Sequence, residues 1–192
     1  MKEIFDRRYP VTSFFLLVTA LVFLLMLVTT GGNFYRADTL FRFGAMYGPA
    51  IRLLEEIFGS KQFFFLYLLS GMMGNLFVFV FSPKSLAAGA STSLYGLFAA
   101  IIVLRYATRN PYIQQLGQSY LTLFVVNIIG SVLIPGISLA GHIGGAVGGA
   151  FLAVIFPVRG ERRMYSASQR LVAVVLFVGL AVLLFYKGMS YV

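Results

Sequence analysis

The sequence contains no cysteine, no tryptophan and only one histidine among its 192 residues. The absence of cysteine excludes disulfides and every metal site that needs a thiolate ligand. Acidic residues are scarce as well: no aspartate follows Asp38, and Glu161 is the only acid after Glu56. This scarcity excludes a paired-aspartate mechanism, an HExxH zinc site and a triad in which a carboxylate orients the histidine. We therefore expect neither a metal nor a cofactor.

Charged residues of both signs are few. They make up 11% of the chain, whereas a soluble domain has about 25%. Hydrophobic residues make up 59%, and the mean hydropathy is +0.89. This composition predicts an all-α integral membrane protein. The net charge of +9 does not indicate nucleic-acid binding, because the basic residues lie in short loops between apolar runs.

Six apolar segments have about the 20-residue length that a bilayer requires. They are residues 11–30, 62–82, 86–104, 118–135, 137–157 and 169–187. We interpret residues 1–192 as a single polytopic helical domain, whose first segment is a retained anchor rather than a signal peptide. The loop 158–170 carries four arginines, so we expect it on the cytoplasmic side.

The region between residues 31 and 61 presents a topological conflict. Basic residues in MKEIFDRR place the N-terminus on the cytoplasmic side, and counting spans back from the loop 158–170 places the segment before Lys61 there too. Both assignments require a crossing within 31–61, yet charged residues interrupt that region. Either the first segment is inverted, or the region enters the membrane in an unusual way, or a helix is absent.

Two residues could carry chemistry, and each also has a structural explanation. His142 lies early in the fifth segment, within GHIGGAVGG. A histidine at membrane depth is costly, so it is either functional or a hydrogen-bonded structural residue. Ser91 lies in GASTSLYGL, near the start of the third segment. Small residues of this kind mostly let membrane helices pack closely, so Ser91 alone reads as a packing residue.

Taken together, the two residues permit a catalytic interpretation. By the topology above, both lie near the outer ends of their segments, and glycines on both segments would let the helices approach. Hydroxyl and imidazole could then come within about 2.6–3.2 Å, the reach of a nucleophile and its base. Ser91 would open a helix, where its backbone N–H and the helix dipole could stabilise an oxyanion. The competing interpretation is a membrane scaffold or a small transporter. A transporter is disfavoured because the apolar segments contain no acidic residue that could serve in a proton relay.

Both segments resemble motifs of one family, the rhomboid intramembrane serine proteases. GASTSLYGL resembles the family's GxSG-type segment, with Ser91 at the nucleophile and Tyr95 at the aromatic residue against which the histidine packs. GHIGGAVGG resembles the histidine helix, with His142 at the base and Gly145 and Gly149 at the close-packing glycines. The resemblance implies a rhomboid-like helical bundle that cleaves transmembrane segments of membrane-protein substrates. It implies a multi-pass protein of a cell membrane, and a bacterial plasma membrane is the location we expect first. We expect no nucleic-acid partner, and the sequence does not indicate an oligomeric state.

The resemblance covers roughly residues 8–157, and the last segment corresponds to an extra helix that some rhomboids carry. Thr92 stands where the family usually has glycine, so its methyl would narrow the site. The family's long first outer loop and second helix are missing, with a junction expected between Ala50 and Leu54. That helix bears a histidine and an asparagine that help to hold the oxyanion. We therefore expect an endopeptidase with impaired activity or, alternatively, an inactive rhomboid-like protein that binds client helices.

Overall fold

The computed structural model describes residues 48–83, 90–133, 136–161 and 164–191, and six single positions between residues 10 and 21. This part of the chain forms six α-helices and contains no strand. The helices are α1 (Gly48–Phe58), α2 (Ser60–Phe81), α3 (Ser91–Ala107), α4 (Pro111–Leu133), α5 (Leu139–Ile155) and α6 (Ala167–Met189). The all-α helical bundle predicted from composition is thereby confirmed.

Helices α2 to α6 coincide with five of the predicted apolar segments. Helices α2, α4 and α6 are long and apolar enough to span a bilayer, whereas α3 and α5 are apolar but shorter, at 17 residues each. Helix α4 begins at Pro111 rather than at residue 118, because the Asn110 side chain accepts a hydrogen bond from the Tyr112 N–H and caps it. The predicted segment 11–30 and the region 31–47 lie almost entirely outside the described residues.

Helix α1 occupies a region that the charge pattern indicated as irregular. Leu54 and Phe58 are buried against the bundle, while Glu56 is exposed. Glu55 is also buried, and its carboxylate accepts a hydrogen bond from the Val11 N–H at 3.1 Å. The charged residues are thus compatible with a helix, because one faces solvent and another is hydrogen-bonded. Helix α1 runs unbroken through the expected junction, and the absence of a second helix stays a prediction.

The centre of the bundle is a contact between α2, α3 and α5. Thr92 of α3 faces Gly145 of α5, and Gly96 faces Gly149, so α3 and α5 run in the same direction. Helix α2 runs antiparallel to them. The largest buried side chains of the core come from all three helices and from α1: Leu54, Phe58, Phe63, Leu66, Met73, Leu97, Ile101, Leu104 and Leu152.

Helices α4 and α6 flank this centre and leave most of their surface to the membrane. Apolar side chains such as Val132 and Leu171 are more than half exposed, as expected for surfaces that contact lipid. Helix α6 begins with a capping box, in which Ser166 and Gln169 exchange side-chain-to-backbone hydrogen bonds. It packs on α2 through Leu184 and through Gly188, which lies against the Phe79 ring.

The loops at the end of the bundle where α3 and α5 finish are joined by hydrogen bonds. The Thr108 hydroxyl donates to a Glu161 carboxylate oxygen at 2.6 Å. The Arg159 N–H donates to the Ile57 carbonyl at 3.0 Å, which connects the chain after α5 to α1. The opposite end, where α3 and α5 begin, is called the site end below.

Candidate active site

Ser91 and His142 both lie in the first turn of a helix at the site end. Ser91 is the first residue of α3 and is half-buried. Helix α5 begins after Ser138, whose side chain accepts a hydrogen bond from the Gly141 N–H. His142 follows at once and is 5% exposed. The parallel arrangement of α3 and α5 therefore brings both residues to the same end of the molecule.

The imidazole of His142 is stacked on the ring of Tyr95. The ring centroids are 3.9 Å apart, and the planes are inclined by 13°. Tyr95 follows Ser91 by four residues, so the two side chains lie on the same face of α3, one turn apart. The stacking thus places the histidine one helical turn from the serine.

Gly145 and Gly149 are the points at which α5 touches the main chain of α3. A Cβ atom on Gly145 would overlap the Thr92 carbonyl oxygen, and a Cβ atom on Gly149 would overlap the Gly96 carbonyl oxygen. Only glycine leaves room for these backbones, as in other close contacts between membrane helices. The separation of α3 and α5 is therefore set by main-chain atoms.

Thr92 and Ser93 are buried between helices. The Thr92 methyl group lies close to Gly74 of α2 and Gly141 of α5; a Cβ atom on Gly141 would be 2.9 Å from it. Ser93 points at Gly71 of α2. The first turn of α3 directs the Thr92 methyl into the contact between the three helices, and its effect on the width of the site stays a prediction.

Ser131, near the end of α4, contacts the histidine directly and was not anticipated from the sequence. Its Oγ lies 2.8 Å from His142 Nδ1 and 3.3 Å from the Tyr95 hydroxyl. The Ser131 hydroxyl also donates to the Asn127 carbonyl at 2.8 Å. Ser131 is 5% exposed, although most of the α4 surface is open. No sequence signal distinguished it from the other small polar residues of α4.

The described residues contain no hydrogen bond between Ser91 and His142, and no partner for His142 Nε2. No side chain caps α3 at Ala90, and the N–H groups of Ser91, Thr92 and Ser93 precede the first hydrogen bond of the helix, which Leu94 donates to the Ala90 carbonyl. Asn75 of α2, an amide that could donate to an oxyanion in place of the second-helix donors, is exposed. Within the described ranges no group of His, Asp or Glu side chains could hold a metal ion.

Comparison with known proteins agrees with these motifs. The Rhomboid domain family matches residues 40–159. The chain is similar to the rhomboid protease GluP of Bacillus subtilis, with 31% identity over 136 residues, 71% of this chain and 26% of that protein. It is also similar to the putative rhomboid protease YdcA of the same organism, with 29% identity over 62% of this chain and 58% of that protein.

A third similarity is to the inactive rhomboid protein 1 of Rattus norvegicus, with 31% identity over 55% of this chain and 12% of that protein. The chain thus aligns with between about a tenth and three fifths of the length of these relatives. The family match covers more than half of the chain and includes the Ser91 and His142 segments. The chain belongs to the rhomboid family of membrane proteins.

Proposed function

We propose that this chain is an intramembrane serine endopeptidase that acts through a dyad of Ser91 and His142. The observation that carries the proposal is the stacking of His142 on Tyr95. It supports a base held one helical turn from the serine, on a surface where Ser91 is half-buried rather than enclosed. The similarity to rhomboid proteases adds to this geometry.

The dyad would work by acyl transfer. His142 takes the Ser91 hydroxyl proton as Oγ attacks the carbonyl carbon of the scissile peptide bond. The same histidine then protonates the leaving amine, and an acyl-enzyme remains on Ser91. A water molecule, deprotonated by His142, hydrolyses the acyl-enzyme and restores the serine. The first-turn N–H groups of α3, Ser91 included, are the donors available for the oxyanion.

The substrates would be membrane proteins, because Ser91 opens an apolar helix within a bundle whose flanks carry lipid-facing side chains. We propose transmembrane segments with small residues at the cleaved bond and an unstable helix near it. We propose a bacterial plasma membrane, since two of the similar proteins come from Bacillus subtilis.

The rate of cleavage would be low. The chain has no second histidine to supply the oxyanion donor of the family's second helix. Loss of one such donor costs about 10²–10³ in rate. The absence of a Ser91–His142 hydrogen bond among the described residues is in keeping with an impaired site, although such bonds often shorten only when substrate is bound.

The second candidate is an inactive rhomboid-like protein that binds client helices. The same missing bond favours it, as does the similarity to an inactive rhomboid protein. A membrane helix would then occupy the side of the bundle from which the second helix is absent. This function needs no nucleophile, so it predicts that the Ser91 and His142 side chains are dispensable for binding.

A serine-directed fluorophosphonate probe distinguishes the two functions. The purified chain, folded in detergent, should be labelled, and labelling should vanish in Ser91→Ala and in His142→Ala. Ser93→Ala is the matched control, because Ser93 lies on the same turn but faces α2. Folded protein that takes up no label would overturn the protease proposal and support the binding function.

A further inference from the structure

The hydroxyl of Ser131 makes three close contacts with a single proton. They are to the Asn127 carbonyl at 2.8 Å, to His142 Nδ1 at 2.8 Å and to the Tyr95 hydroxyl at 3.3 Å. A serine hydroxyl can donate once and accept twice. All three contacts can therefore be hydrogen bonds only if one partner accepts and the other two donate.

The carbonyl of Asn127 decides which partner accepts. A carbonyl oxygen has no proton to give, and two oxygens held 2.8 Å apart without a proton between them repel each other. The Ser131 proton is therefore directed at Asn127, in the back-bond that serines make to the carbonyl four residues earlier in a helix. The lone pairs of Ser131 are left to accept from the Tyr95 O–H and from His142 Nδ1.

We propose that Ser131 is a positioning residue that holds His142 in the tautomer protonated at Nδ1. The hydrogen atom of a neutral imidazole resides on one nitrogen, and the bond made by that nitrogen fixes which one. With Nδ1–H donating to Ser131, Nε2 keeps its lone pair and is the nitrogen that can take the Ser91 proton. Ser131 thus fixes the tautomer and orientation of the histidine, as the carboxylate of a triad does, but without the negative charge that stabilises an imidazolium.

This assignment also explains the burial of Ser131. Helix α4 buries few residues, and they are Ile113, Gly117, Tyr120 and Ser131. Ser131 is the one at the site end, and it joins α4 to Tyr95 of α3 and to His142 of α5. An apolar residue of the same size would pack there equally well, but it would leave Nδ1–H without an acceptor in a buried position.

The kinetic part of the inference rests on the proposed function, whereas the tautomer does not. His142 is the only histidine in the chain, so protein labelled with ¹⁵N-histidine gives the imidazole signals of this residue alone. In spectra recorded at mildly alkaline pH, Nδ1 should carry the proton and Nε2 should not. Couplings to the two ring C–H protons tell the nitrogens apart. A wild-type spectrum with the proton on Nε2 would overturn the inference.

Substitution of Ser131 supplies the second readout. Ser131→Ala should shift the signals toward a mixture of both tautomers and slow fluorophosphonate labelling about tenfold, the effect of one hydrogen bond. Ser131→Thr should restore both, because a threonine hydroxyl makes the same back-bond in a helix. Ser119→Ala is the matched control: Ser119 donates to the Gln115 carbonyl of α4 but is exposed and remote from the histidine. It should change neither readout.

The outcomes separate the two proposals. Labelling of wild-type protein together with an unchanged tautomer and rate in Ser131→Ala would overturn the role of Ser131. A wild-type chain that takes up no label but shows the Nδ1–H tautomer would retain the role of Ser131 as the histidine's acceptor and overturn the protease. If Ser131→Ala does not fold, the wild-type spectrum and Ser131→Thr still decide the tautomer.

Discussion

The rings of Tyr95 and His142 lie face to face, 3.9 Å between centroids, and this contact joins the helix of the proposed nucleophile to the helix of the proposed base. Neither ring is free to turn without losing the other, since both are buried. The orientation of the histidine is therefore determined by the flat face of the tyrosine on one side and by its hydrogen bond to Ser131 in the ring plane.

Removing the aromatic ring of Tyr95 should disturb the orientation of His142 more than removing the Tyr95 hydroxyl. Tyr95→Leu removes a stacked pair worth about 0.5–1.5 kcal/mol, so labelling at Ser91 should slow about two- to tenfold. Tyr95→Phe keeps the ring and should stay closer to wild type. The proton signals of His142 should also lose the shift caused by the tyrosine ring current in Tyr95→Leu alone. Equal labelling rates and equal shifts in both variants would contradict a role for stacking.

A side chain at Gly145 should destabilise the bundle. In Gly145→Ala the new Cβ would overlap the Thr92 carbonyl oxygen, and overpacking of this kind costs about 1–3 kcal/mol. The melting temperature in detergent should fall accordingly. Gly179→Ala on α6 is the control, because open space surrounds that glycine and alanine favours a helix by about 0.5–1 kcal/mol. If both variants melt alike, the two helices are not in main-chain contact.

The loop contact at the far end of the bundle should contribute to stability. Thr108 is buried; its hydroxyl donates to Glu161 at 2.6 Å and accepts from the Asn110 N–H at 3.0 Å. Thr108→Val should lower the free energy of unfolding by about 1.5–3 kcal/mol, because a half-buried carboxylate loses the hydrogen bond that the threonine hydroxyl donates to it. Thr122→Val removes only an exposed back-bond on α4 and should be neutral. A neutral Thr108→Val would show that the two loops hold together without this bond.

Inserting the family's second helix at the junction predicted between Ala50 and Leu54 should raise proteolytic activity. The inserted helix would supply the oxyanion donors, each worth about 10²–10³ in rate. Cleavage of a transmembrane test substrate by intact and extended chains measures the gain. An insertion of equal length without the histidine and the asparagine is the control. Equal activity of both insertions would place the cause of a low rate elsewhere than in the donors.

Hydropathy predicted five of the six described helices, whereas the charged residues of α1 led us to expect an irregular segment there. Helices α2 to α6 follow from apolar runs, whose length reflects a requirement of the bilayer. Helix α1 was missed because Glu55 and Glu56 were interpreted as an interruption, whereas the buried Glu55 carboxylate accepts a hydrogen bond from the Val11 N–H. A sequence pattern does not contain that partner, which lies 44 residues away in the chain.

The candidate site also has a part that could be predicted from the sequence and a part that could not. Tyr95 and His142 were predicted to pack together from the family motif, and the structure stacks them. Ser131 could not be predicted, since a serine near the end of an apolar helix looks like any packing residue until the fold sets it beside the imidazole. The orientation of Thr92 likewise depends on which face of α3 meets α2 and α5.

The glycine contact between α3 and α5 also bears on how far this sequence can diverge from its relatives. Carbonyl oxygens and Cα atoms are common to all amino acids, so the distance between the helices does not depend on the identity of the surrounding side chains. Residues that face lipid are then free to change without moving α3 relative to α5. The spacing of the two helices in this chain is therefore set at two positions that carry no side chain, Gly145 and Gly149.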